Sequence, residues 1–309
     1  VPRLFREIQD SRTLYKDKRI ACNGFFSDQR LLNPDPGALE VGGMTEILSY
    51  GFMQRAFIAG IAMAFFAGVI STFIVLRRVS FLGSGISHAA FGGVAIGFFS
   101  GINPLTTALI YCIAVAFAIE IISTKGKLAE DTAIGVFFSG SMAMGVVLIS
   151  LSKSYTIDLF GYLFGSILAI SNEETYMAVG MAAAGMIVFS LIMKDLLFIT
   201  FNEELAIING IPVRLIKACF LLSMAVVIVI GIKIVGIVLI SALLVVPGAT
   251  AKLLGQKFYG MILISAIVAV ISTVSGLVIS YVYDLASGGT IVMVLVLFFG
   301  IAFLFRKKT

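Results

Sequence analysis

The chain has 309 residues, of which 60% are hydrophobic before its 31 glycines are counted and only 13% are charged, with a mean hydropathy of +1.09. Soluble domains run at roughly 45–50% apolar and about 25% charged, so an ordinary water-soluble enzyme is excluded. The formal charge of +5 is not a nucleic-acid signal, because Lys and Arg form short clusters between apolar runs rather than a continuous basic face.

Residues 1–43 differ from everything after them. They carry seven of the 22 Lys/Arg and six of the 17 Asp/Glu, and no apolar run long enough for a signal-peptide core. Pro34, Pro36 and Gly37 mark the end as linker. We read 1–43 as a soluble N-terminal extension, either foreign to the fold or a true appendage. The transmembrane domain then covers 44–309.

Nine apolar segments follow, at roughly 50–76, 83–101, 104–123, 133–152, 174–194, 216–232, 234–254, 259–282 and 288–305. A helix needs about 20 apolar residues to cross a bilayer core, so the expected fold class is all-α, a polytopic membrane helix bundle. The gaps sort by charge. Arg77, Arg78, Lys125, Lys127, Lys194, Arg214, Lys217, Lys252, Lys257, Arg306, Lys307 and Lys308 occupy one set, while Arg55, Lys153 and Lys233 border the other. The positive-inside rule therefore puts the C-terminus in the cytoplasm and the start of the first helix outside.

Two gaps are unusual. The outer gap holds an apolar stretch, Leu159 to Ser166, too short to span. Irregular backbone at membrane depth is tolerated only against protein or a cavity, so this stretch reads as a short re-entrant helix. The inner gap, 200–217, carries Glu203, Glu204, Gly210 and Pro212 around an apolar patch. Asn202 is placed to cap a short amphipathic helix that Gly210 and Pro212 stop. Such a helix on the cytoplasmic face suits docking to another protein.

Few residues can carry chemistry. His88 is the single histidine of the chain, and Ser80, Ser84, His88 and Gly92 fall on one helix face. Imidazole is a good ligand for first-row divalent ions, and polar groups in a span usually face the bundle interior or a wet path. A packing histidine bonded to a carbonyl is the competing reading. Asp284, at the outer mouth, either meets an arriving cation or caps the next helix. Pro247 should kink the seventh segment, and Lys233 should mark the turn before it. No GxxxxGK[ST] loop, Ser-His-Asp set or HExxH motif occurs, so neither P-loop ATP binding nor hydrolysis is expected of this chain. The three cysteines, Cys22, Cys112 and Cys219, form no disulfide or metal pattern.

Six blocks in order resemble the zinc/manganese-type permease family of ABC importers. They are Leu76–Ala89 with its Ser-His-Ala, Glu130–Ser139, Leu163–Ser166, Asn209–Arg214, Leu244–Ala251 and Tyr283–Val292. The resemblance implies a fold similar to the vitamin B12 and siderophore permeases, with two copies forming the pathway. It also implies two ATPase subunits docked near Asn202–Arg214 and an extracytoplasmic metal-binding protein that delivers the ion. The family commonly has Asp four residues before the histidine, where this chain has Ser84. That neutral residue leaves the metal open, with zinc placed first, then manganese or iron. On this reading the chain is no enzyme and holds no tight cofactor, and zinc, manganese or iron is its cargo. It sits in the cell membrane, and its partners are ABC ATPase subunits, the binding protein, a second copy and lipid, with no nucleic acid. His88 is the candidate metal residue; Ser84, His88 and Asp284 are candidates for the path; Glu203, Glu204, Gly210 and Pro212 are candidates for ATPase coupling. The alternatives are a permease for a metal chelate or cobalamin, and an ion-gradient secondary transporter.

Overall fold

A computed structural model describes residues 49–126, 128–151, 170–255 and 257–305. The N-terminal extension 1–43 and the expected re-entrant stretch 159–166 lie outside the described residues. Among those described, the regular structure is α-helical: α1 Gly51–Leu76, α2 Ser80–Ser100, α3 Pro104–Gly126, α4 Glu130–Leu151, α5 Asn172–Phe201, α6 Glu203–Ile208, α7 Val213–Val235, α8 Ile237–Leu243, α9 Val246–Leu253, α10 Phe258–Tyr283 and α11 Ser287–Leu304. Eight of these are long and apolar enough to cross a membrane, and Ile237–Leu253 makes a ninth, shorter apolar segment. The polytopic all-α bundle expected from the sequence is the fold observed.

Small residues decide how closely the spans approach. Along α1 the positions Ala56, Gly60, Ala64 and Gly68 are all buried, and α10 answers with Ser265, Ala269, Ser272 and Gly276. Without a hydrophobic drive between helices in lipid, packing of small residues and interhelical hydrogen bonds must hold such pairs. Ser265 Oγ donates to the Gly68 carbonyl at 2.6 Å. Phe73 meets Phe258 edge-on at 5.4 Å, and Phe52 meets Tyr281 at 6.2 Å, so the two helices run antiparallel.

On the other side, α2 packs against α3 and α4. A Cβ built on Gly92 would fall 2.8 Å from the Ser141 carbonyl oxygen, so only glycine admits α4 at this distance. Phe91 fills the matching space at Gly145. The contact order, 85 with 134 and 92 with 141, makes α2 and α4 parallel neighbours.

Three expectations need correcting. The seventh segment is not one kinked helix but two: α8 ends at Leu243, Val245 takes φ −121° and ψ −51°, and α9 starts with Pro247 in its first turn. Proline cannot donate to the preceding turn, but it fits a helix start, so the break falls before it rather than at it. The freed Gly248 N–H donates to Ser71 Oγ at 2.8 Å, so α1 supplies the missing acceptor. The turn before this segment falls at Gly236 (φ 90°), leaving Lys233 inside α7. Finally, α5 does not stop near 194 but runs to Phe201. At 1.5 Å per residue its 30 residues measure about 45 Å, against a bilayer core of about 30 Å. The surplus carries the chain out to α6.

Candidate transport path and docking end

Helix α2 positions His88 and Ser84 on successive turns of one face. Both are half-buried. The His88 ring stands edge-on to Phe138 of α4, with centroids 4.8 Å apart and planes at 76°. Its Nδ1 is shielded from solvent and has no hydrogen-bond partner. The competing reading, a histidine bonded to a nearby carbonyl, therefore finds no support at Nδ1. A shielded ring nitrogen without a partner is an uncommon arrangement, and this one lies beside the α2–α4 seam.

One turn along α2, where Gly92 and Gly93 let α4 and α3 come close, the Tyr111 hydroxyl and Ser141 Oγ lie 3.0 Å apart. This polar pair was missed in the sequence, where Tyr111 and Ser141 sit in separate apolar runs 30 residues apart. Only the close approach at Gly92 brings it beside the His88 face. Among the described residues no group of three or more His, Cys, Asp or Glu is arranged to hold a metal ion. The seam thus offers one imidazole and several hydroxyls rather than a closed cage.

Asp284 is not brought to this seam. It ends α10 in the left-handed region (φ 51°, ψ 44°) and is exposed, and α10 packs on α1, α9 and α11. Of its two sequence readings, capping the next helix is not what the structure shows, because Ala286 takes that position.

The inner gap builds a distinct feature. Asn202 ends α5 and starts α6, and its side chain accepts from the Leu205 N–H at 3.0 Å. Gly210 (φ 76°) turns the chain after Asn209, and Pro212 precedes the first turn of α7. Glu203 and Glu204 lie in the first turn, where carboxylates suit the helix dipole. Ala206 is buried, while Phe201 and Ile208 are each 77% exposed. A capped, charged helix displaying large apolar side chains is a docking surface in form. All four coupling candidates, Glu203, Glu204, Gly210 and Pro212, fall within this one unit. Sequence reading missed its anchor: Lys217 Nζ donates to Glu203 Oε1 at 2.8 Å.

The sequence profile described as "ABC 3 transport family" matches residues 49–306. The chain belongs to that family. The manganese transport system membrane protein MntC of Listeria innocua is 37% identical over 262 residues, covering 85% of this chain and 93% of the relative. The solved structure of PsaBC from Streptococcus pneumoniae in complex with Fab has 34% identity and a TM-score of 0.77, over 87% of this chain and 97% of that one. A solved inward-facing ABC transporter, 14% identical with a TM-score of 0.66 over 86% of this chain and 90% of that one, shares the fold. This ABC 3 family chain is therefore a multi-pass membrane permease and not an enzyme.

Proposed function

We propose that this ABC 3 family permease carries a divalent transition metal ion into the cell, as one of two copies that together frame the path. The observation that carries the reading is the pairing of a sparse polar seam at His88 with a built docking unit at α6. A cargo that must be released needs binding weak enough to let it go, and one imidazole flanked by hydroxyls meets that requirement. Manganese comes first, then zinc or iron. The sequence placed zinc first, but the Listeria innocua relative is named for manganese transport, and that name supports the change of order. ATPase subunits dock on α6 from the cytoplasm, an extracytoplasmic protein delivers the ion, and the charge bias of the gaps puts the C-terminus inside.

The test is reconstitution of the full chain with its ATPase subunits and binding protein in lipid vesicles, with uptake measured for manganese, zinc and iron in turn. ATP-dependent uptake, strongest for manganese, is expected. Uptake that runs on an ion gradient without ATP contradicts the coupling, and equal rejection of all three ions contradicts the cargo.

A further inference from the structure

The Glu203–Lys217 contact has neighbours that extend it into the bundle. Lys217 stands in the second turn of α7, its side chain 13% exposed against 48% for Glu203. The pair bridges 14 residues across the turn at Gly210, so it clamps the first turn of α6 to the first turns of α7. Three residues along α7, the buried Phe220 receives the Arg77 guanidinium over its ring, 5.4 Å from the centroid. Arg77 opens the short turn from α1 to α2, where Arg78 adopts φ 60°. Lys217, Phe220 and Arg77 line one small cavity together with Leu82 of α2 and Glu120 of α3. One wall thus runs from the α6 ion pair, through Lys217 and Phe220 a turn apart on α7, to the turn that starts α2.

From this geometry we infer that Lys217 is a positioning residue for coupling: it passes displacement of α6 to the α1–α2 turn, and through α2 to His88. The inference rests on the reading of α6 as the ATPase-docking segment. With six residues, α6 is too short to hold its own position, so its attachments decide how its movement is delivered. Asn202 fixes one end to α5; Lys217 fixes its side to α7. A half-exposed ion pair is also a modest link, suited to being made and broken in each cycle. A chain of contacts alone does not establish coupling, and a double-mutant cycle is the appropriate measurement.

The experiment uses the full chain reconstituted with its ATPase subunits, with manganese as the transported probe. Lys217→Met should retain the ATPase subunits, and both it and Glu203→Gln should lower ions moved per ATP hydrolysed by roughly two- to fivefold, the range for a partly exposed pair. The double variant should be no worse than either single one. The exchanged pair, Lys217→Glu with Glu203→Lys, should recover most of the ratio, and Lys217→Arg should keep it. An unchanged ratio in both singles, an additive loss in the double, no recovery on exchange, or loss of the ATPase subunits from Lys217→Met overturns the inference. A drop with Lys217→Arg equal to that with Lys217→Met overturns it too. A wild-type chain that never retains ATPase subunits is a different result: it removes the docking reading, and this inference with it.

Discussion

The α6 unit and the α2–α4 seam solve opposite problems with similar numbers of polar groups. At α6 the polar groups are spent locally: Asn202 caps Leu205, Asn209 Nδ2 donates to the Leu205 carbonyl at 2.7 Å, and Lys217 takes Glu203. What remains open there is apolar, the exposed Phe201 and Ile208. At the seam the reverse holds: the apolar contacts are made, His88 against Phe138 and Phe91 against Gly145, while His88 Nδ1 is left without a partner. On the proposed function, the uncovered apolar surface at α6 is where a protein partner docks, and the unpaired nitrogen at the seam is where the ion passes. The two regions lack different things, and each lack points to its own job.

Four changes test that contrast, from the largest effect to the smallest. Replacing Glu203–Gly210 with a flexible Gly/Ser linker should abolish ATP-driven uptake while the bundle stays folded by circular dichroism; retained coupling breaks the docking half of the comparison. His88→Ala should cut uptake by about tenfold or more, equivalent to roughly 1.4 kcal/mol of lost stabilisation in the path. Thermal melting of the same preparation separates that loss from misfolding. Ser84→Asp puts a carboxylate one turn from the imidazole, and should lower the ion concentration for half-maximal uptake by about tenfold, again near 1.4 kcal/mol. No change in ion dependence would mean that this face does not meet the cargo. Asn202→Ala removes one cap at a cost of about 1 kcal/mol, so ions moved per ATP should fall less than with the linker replacement.

Features that depend on nearby sequence were readable in advance. The apolar segments, the Asn202 cap, the Gly210 turn and the shared face of Ser84 and His88 all follow from residues within a few positions of each other. The misreadings share a cause. In the seventh segment the acceptor for the start of α9 is Ser71 of α1, 177 residues from the Gly248 that donates to it. The overrun of α5 beyond 194 ends at Asn202, which starts α6, and the α6 anchor Lys217 is 14 residues from its partner. Phe138, Tyr111 and Ser141 join the seam only because Gly92 and Gly93 let neighbouring helices approach. Hydropathy marks where spans lie but not which faces meet.

Since the chain contains a single histidine, isotopic labelling of that residue type reports on one position. The deciding measurement is electron spin-echo modulation of manganese trapped in the complex, with nitrogen-15 histidine in this chain and unlabelled partners. Coupling to the labelled imidazole nitrogen is predicted for manganese held at the α2–α4 seam. Manganese transported by the same preparation but trapped with no such coupling would contradict the account.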